Sequence, residues 1–551
     1  MSNTEFDVIV SGAGPVGLCL ALDLAGNGAR VLVLERKPEG FMPTVRCNHI
    51  AARSMEIFRR LGLARKIRDS GLPADYDQSV SYRTTTVGAE LSRIRIPARS
   101  ERFTALDDGP DSWWPTPEPP HRMNQIYLEP ILVDAVRQEA KIELRYDTEL
   151  IDVAQDETQV VAQIRSAMQT SAVTGRFLVG CDGGKSFVRK AIGASLQGDA
   201  QVMRVQSSYI RAPALVDSMS ETPTWAMFSM NPRRTGNIYS IDGKETYLLH
   251  NYLRADEPEF DSVDRDACIR EILGVDRSFQ YEVIANEDWI GRRLVADKVR
   301  EKRVFICGDA AHIWVPFAGY GMNAGIADAA NLAWLLTSVL QGWGGEIMLD
   351  AYEAERLPIT EQVSRYAMSH AVALSKQRSA VPDNIEDDTP AGQIARKKMG
   401  EEAYRLNVQQ YCCAGLNFGY FYDDSPIIVP DGATPPEYSM SDFTVSSVPG
   451  CRVPHFWLSS TESLLDKLGT GYVLIRTDES VDVSSFEQWA NDRMMPFSIL
   501  DVAPPPDVAG HYPEPLVLVR PDHHVAWRGR TLSSKQTDRV MQVVTGRARQ
   551  V

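Results

Sequence analysis

The chain has 551 residues, 44% of them apolar and 24% charged, the composition of an ordinary folded protein with room for two or three domains. Its formal net charge of −15 argues against a nucleic-acid partner and offers no polybasic anchor for an anionic membrane. The apolar runs are too short or too interrupted to cross a bilayer, no signal-peptide pattern precedes the first strand, and the scattered cysteines show no CxxC or metal-ligand spacing, so a cytoplasmic protein with reduced, packing cysteines and no metal is expected.

Phe6-Asp7-Val8-Ile9-Val10 is a mostly apolar, β-branched run, followed by Gly12, Gly14 and Gly17 and then by Leu18 to Ala25, whose composition suits a buried helix. Strand, tight turn and helix in that order make a pyrophosphate site. Gly12 permits the turn, Gly14 lets the backbone approach the phosphates, Gly17 lets the helix pack on the strand, and Pro15 and Val16 open a helix whose N-terminus faces the anion. Val31 to Leu34 forms the next strand and ends at Glu35, placed to accept from ribose hydroxyls and to disfavour a 2′-phosphate, with Arg36 beside it as a further cofactor contact.

Arg122-Met123-Asn124-Gln125 opens a helix that runs through Leu132, Val133 and Val136. Phe177 to Cys181 reads as a strand ending in Asp182-Gly183-Gly184-Lys185-Ser186, a turn with a capping serine after it. From about 200 to 285 apolar and polar residues alternate, and Tyr239-Ser240-Ile241 and Thr246 to Tyr252 flank Asp242-Gly243-Lys244 as a hairpin of an antiparallel sheet. The acidic pair Glu287-Asp288 reads as structural. Val304 to Cys307 is a strand that ends in Gly308-Asp309-Ala310-Ala311-His312. A second, distant Gly-Asp turn after an apolar strand indicates a long, extended cofactor, FAD rather than NAD.

Gly325 through Val339 has helical spacing and forms a scaffold helix; 341 to 415 is helical as well. A loop-rich stretch with Asp423-Asp424-Ser425-Pro426 and Pro435-Pro436 marks a domain boundary. There is one dinucleotide fingerprint and no second, so a nicotinamide cofactor has no Rossmann domain of its own and binds transiently. His523-His524 has no nearby third ligand and makes no metal site.

Gly12-x-Gly14-x-x-Gly17, Asp182-Gly183-x-x-Ser186-x-x-Arg189 and Gly308-Asp309-Ala310-Ala311-His312, in this order, resemble the three signatures of the single-component, FAD-dependent aromatic hydroxylases, in particular their phenol hydroxylase and polyketide hydroxylase branch. The resemblance implies an α/β protein with a Rossmann-like FAD-binding domain (1–75, 101–198 and 286–415), an inserted antiparallel β-sheet substrate domain (76–100 and 199–285) and a C-terminal thioredoxin-like domain (425–551). That last domain lacks a redox CxxC and is expected to have a structural or oligomerising role, as in a homodimer.

Carried over position by position, the resemblance assigns Glu35 to the ribose, Arg46 to the pyrophosphate, Arg122 and Gln125 to the cofactor, and Asp182 and Gly183 to the turn that serves FAD. Asp309 would accept from the ribityl hydroxyls, and Pro316 with Gly321, Met322 and Asn323 would face the isoalloxazine ring, the backbone N–H groups of Gly321, Met322 and Asn323 stabilising the reduced flavin. His312 supports the flavin site. The reaction implied uses NAD(P)H and O2 to hydroxylate a phenolic or polycyclic aromatic ring through a flavin C4a-hydroperoxide. An epoxidising or antibiotic-modifying monooxygenase, and a non-catalytic flavin-binding protein, are the alternatives. Trp225, Met227, Phe228, Tyr239, Tyr247 and His250 are the expected substrate contacts. Tyr247, His250 and Pro316 are the candidates for catalysis, and His250 is the preferred acid–base group.

Overall fold

The computed structural model describes residues 5–41, 45–105, 109–167, 169–315 and 319–549, and their strands form three sheets. The first is built on Phe6–Ser11, whose interior residues are almost fully buried because helices or loops cover both faces. That strand pairs in parallel with Val31–Leu34 on one side and with Gln169–Gly180 on the other, and Val304–Ile306 extends the sheet beyond Gln169–Gly180. Continuous Val/Ile/Leu runs are what a parallel sheet buried on both faces requires. Three of these strands end at one edge, where Ser11, Gly180 and Ile306 are adjacent and lead into the three motif turns.

Helices Pro15–Gly26 and Tyr320–Leu340 pack on this sheet and on each other. The contact is close because a Cβ at Gly325 would lie 2.6 Å from Val16 and 3.0 Å from the Gly308 Cα. Helices Ile347–Ser379 and Pro390–Tyr411 then carry the chain to the second sheet.

The second sheet has eight strands, antiparallel except where Ala226–Ser229 meets Val80–Arg83. Strand Glu282–Ala296 runs unbroken through the boundary expected at 285/286 and bends at a register shift between Gly291 and Arg293. One end of the sheet therefore pairs with His312–Ile313, directly after the Gly308–Ala310 turn.

The third sheet orders Phe497–Asp501, Tyr472–Arg476, Leu516–Val519 and Val525–Gly529. A buried ionic cluster joins it to the rest: Arg520 donates to both carboxylate oxygens of Glu355, at 2.6 and 2.8 Å, and to Asp522 at 2.7 Å. His523 and His524 are buried in this junction, next to Arg53 and to the Asp522 carbonyl respectively. No helix among the described residues is long and apolar enough to cross a membrane.

Candidate active site

The first turn is set by close backbone approach. Gly12 has φ 108°, and a Cβ there would stand 2.4 Å from the Cys181 carbonyl oxygen. At Gly17 a Cβ would stand 2.0 Å from the Gly12 carbonyl oxygen. Gly14, the N-cap of the first helix, faces open space, and no side chain caps that helix. Its first N–H groups and the positive end of its dipole are left for an anion. Glu35 accepts from the Ala13 N–H at 2.9 Å through one oxygen and from the Lys37 N–H at 2.9 Å through the other, so it buttresses the turn while each oxygen keeps lone-pair capacity. Arg36, next to it, is exposed beside Asp147, Glu149 and Arg165.

Asp182 accepts from the Phe187 and Val188 N–H groups at 2.7 and 3.2 Å through Oδ2, and Ser186 caps the short helix by accepting from Arg189 N–H. Asp182 Oδ1 is buried without a partner. Arg189 donates to the Gly184 carbonyl at 2.9 Å and to the Ala310 carbonyl at 3.0 Å, tying the second motif turn to the third. Asp309 in that third turn is open to the cleft yet enclosed by protein on its other sides; burial pushes its carboxyl above the usual range, with His312 and Arg46 opposing.

The loop 45–51 closes the cleft opposite these turns. Cys47, at φ 39°, donates its thiol to the His49 and Gly319 carbonyls at 3.3 Å each. Asn323 donates to the same two carbonyls at 3.0 and 2.7 Å and accepts from Ala51 N–H at 2.8 Å. The Asn323 side chain is thus a staple for the loop rather than a group aimed at a ring. Met322 leans on the core beneath. Gln125 holds the loop through its N–H, to the Cys47 carbonyl at 3.0 Å, while its side chain bonds Glu129. Arg46 pairs with Glu287 at the lip. Pro316 lies outside the described residues.

FAD fits this arrangement. The orphaned Asp182 oxygen, the accessible Asp309 carboxyl, and the open space at Gly14 and Gly321 are features an extended anionic cofactor would use. Val16 belongs to the cofactor set only through its backbone, since its side chain packs on Gly308 and Gly325.

The inner face of the second sheet meets the loop 45–51. Strand alternation puts Phe228, Asn237, Tyr239, His250 and Tyr252 on this face, with Asn237 opposite both Phe228 and His250. Trp225 joins them, its ring 5.3 Å from Tyr239 and 6.0 Å from Tyr411. Met227 and Tyr247, expected as substrate contacts, instead point to the outer face. There they pack with Ile238, Leu249, Ile269 and Ile272 against helix Arg265–Leu273, and the Tyr247 hydroxyl donates to the Lys244 carbonyl at 3.1 Å. Arg122, expected at the cofactor, is buried behind the loop: it bonds His49 and the Tyr411 carbonyl, and its guanidinium lies 4.9 Å from the Trp225 ring.

The comparisons with known proteins agree with this geometry. Residues 5–367 match the family model described as FAD binding domain, and residues 446–548 match that of the aromatic-ring hydroxylase C-terminal domain. The chain belongs to the FAD-dependent aromatic-ring hydroxylases. It is 30% identical to a putative polyketide hydroxylase of Streptomyces halstedii, over 95% of this chain and 93% of that one. Among solved structures it resembles the rebeccamycin biosynthetic enzyme RebC with reduced flavin (TM-score 0.88, 32% identity, 99% of each chain). It also resembles aklavinone-11 hydroxylase in complex with FAD and aklavinone (TM-score 0.81, 26% identity, 99% of this chain and 100% of that one).

In this hydroxylase His312 bonds Asp328 at 2.7 Å and stacks on Trp314, and Asp328 in turn accepts from Arg356 at 2.7 Å. His250 is held differently. Trp289 Nε1–H donates to Ser207 Oγ at 2.7 Å, and Ser207 Oγ shares a hydrogen bond of 2.7 Å with His250 Nδ1 whose direction depends on the imidazole tautomer. With the Ser207 hydroxyl as donor the proton of a neutral imidazole sits on Nε2, and burial pushes the His250 pKa down to about 4. Ser207, Trp289, Tyr82, Tyr252 and Tyr411 were not among the expected site residues. Tyr252 shares the strand parity of His250, and Trp289 lies in register with Tyr252 through Val205; Tyr411 arrives from a distant helix that carries no motif.

Proposed function

We propose that this hydroxylase oxygenates a phenolic or polycyclic aromatic compound laid against Tyr239, His250 and Trp225 on the inner face of the second sheet. FAD, reduced by a transiently bound NAD(P)H, supplies an activated oxygen atom taken from O2. The chain holds the cofactor through the Gly14 helix start, Glu35, Asp182 and Asp309, and holds the ring under an apolar wall that keeps water away. His250 is a hydrogen-bond donor in this scheme. Its Nε2–H faces the phenol oxygen and stabilises negative charge there, in place of the proton abstraction expected from a histidine titrating near neutrality.

The observation that carries this reading is that the aromatic wall and the cofactor cleft share one loop. Arg122 stacks on Trp225 while bonding His49, and the His49 carbonyl is held by Asn323 at the start of the helix beside the cleft. The purified FAD-loaded protein should consume NAD(P)H faster with certain phenols, naphthols or polycyclic phenolics, and mass analysis should find products heavier by one oxygen atom. If no ring compound gains oxygen while FAD is bound, the reading fails. A cytoplasmic homodimer is the assembly we propose for it.

A further inference from the structure

Buried arginines in this chain are generally matched by carboxylates. Arg102 pairs with Asp111, Arg356 with Asp328, Arg452 with Glu56 and Arg520 with Glu355. Buried Arg122 and Arg189 bond carbonyls or histidine instead, and Arg378, in the last turn of helix Ile347–Ser379, also lacks a carboxylate. It is half-buried, and no carboxylate among the described residues lies within ion-pair distance of it. Its guanidinium sits 3.9 Å from the centre of the Tyr252 ring and hydrogen-bonds that tyrosine, with Tyr82 and His370 as further polar neighbours. The Tyr82 hydroxyl is itself buried with no hydrogen-bond partner among the described residues. An aromatic face attracts a cation, and helix-end carbonyls help, but neither fully matches what a guanidinium loses on partial withdrawal from water. Burial accordingly pushes the Arg378 pKa down.

Tyr252 lies on the same face as His250, two residues further along the strand, a spacing of about 7 Å. A molecule whose ring meets His250 therefore brings a substituent one further ring away to the Arg378 guanidinium, with the Tyr82 hydroxyl free to donate to the same group. We propose that Arg378 is the anchor for a carboxylate on the substrate, and that the enzyme acts on aromatic acids of two or more rings in which the carboxylate lies about one ring from the position contacted by His250. This rests on the placement of the substrate against the second sheet given above. Guanidinium and carboxylate match geometrically through paired N–H···O bonds, and a desolvated pair of this kind discriminates strongly against an uncharged isostere.

The test compares 6-hydroxy-2-naphthoic acid with 6-hydroxy-2-naphthamide, which has nearly the same shape and no charge, as ligands of the FAD-loaded enzyme at pH 8. Binding is read from the change in flavin absorbance, without turnover. The acid should bind at least about tenfold tighter than the amide. Arg378→Gln should remove that advantage and leave the amide within about twofold of wild type, and Arg378→Lys should restore part of it. Unchanged FAD content and amide affinity in Arg378→Gln establish that the variant is folded. Equal affinity for acid and amide in the wild type, equal weakening of both by Arg378→Gln, or no binding of the acid at millimolar concentration overturns the proposal. Because the acid-to-amide ratio is an equilibrium quantity, its failure is distinguishable from a failure to oxygenate either compound, which counts against the hydroxylase reading itself.

Discussion

Arg189 reaches the Ala310 carbonyl at 3.0 Å across 121 residues of sequence while its other terminal nitrogen holds Gly184 at 2.9 Å. One guanidinium thus sets the distance between the Asp182 turn and the Asp309 turn, and neither turn has that spacing from its own strand alone.

Replacing Arg189 with Met should therefore damage cofactor binding more than folding. Each charge-assisted bond contributes about 1.5–3 kcal/mol. If half of the combined worth of the two bonds is lost from the cofactor complex, FAD affinity drops by about tenfold or more. FAD titration of the apoprotein, with thermal melting in parallel, measures both effects. A lower melting temperature with unchanged FAD affinity counts against the bridging role.

Asp309 should show a trade between stability and binding. Its folded pKa is raised, so the folded protein favours the protonated form; the stability this confers is complete below the ordinary value of 3.8 and is lost as pH rises through the raised pKa. At neutral pH the apo Asp309→Asn variant should melt higher than wild type and bind FAD more weakly. A variant that melts lower and binds FAD normally contradicts both halves.

The two faces of the second sheet predict opposite outcomes for two tyrosines. Tyr247→Phe loses one hydrogen bond to a backbone carbonyl and should cost about 1 kcal/mol in urea unfolding, with substrate-stimulated NAD(P)H oxidation intact. Tyr239→Ala should leave FAD binding intact and raise KM for every stimulating aromatic.

His250 gives a pH signature. With its pKa near 4 rather than 6.5, the stability due to its neutral form is present above pH 6.5 and is lost as pH falls through about 4. His250→Leu should flatten that acid limb of unfolding. It should also lower kcat by about tenfold, the worth of one bond to a developing anion. The wild-type kcat profile should carry no limb near pH 6.5 from this group; a limb there that vanishes in His250→Leu defeats the donor assignment.

The junction with the third sheet should be brittle. Arg520→Met strands Glu355 and Asp522 in the core, with an expected cost of about 3–5 kcal/mol. Urea denaturation of Arg520→Met and of the double variant Arg520→Met/Glu355→Gln checks this. The double variant should recover part of the loss, and equal stability of the two variants means the pair is not what couples them.

The cofactor half of the site was legible in the sequence because close backbone approach demands glycine at set intervals, and the strand-turn-helix order around Gly12, Asp182 and Gly308 admits few folds. The substrate half was not. Ala226-Met227-Phe228 and Tyr247-Leu248-Leu249 are apolar on both faces, since a helix covers the outer one, so alternation gives no sign of which residue points inward. Position along the strand did not resolve it either; pairing register did. Arg378 and Tyr411 lie on helices whose sequence carries no chemical motif, and only tertiary packing brings them beside Tyr252 and Tyr239.

The pairing of Asn237 with His250, and of its neighbours in step, has an evolutionary consequence. Gain or loss of one residue inside either strand would exchange the two faces, turning the aromatic wall toward helix Arg265–Leu273 and an aliphatic surface toward the flavin. New substrates are therefore expected to be reached by replacing side chains at fixed strand positions, with length variation expected only in the turn at Asp242-Gly243-Lys244 and in the loops outside the sheet.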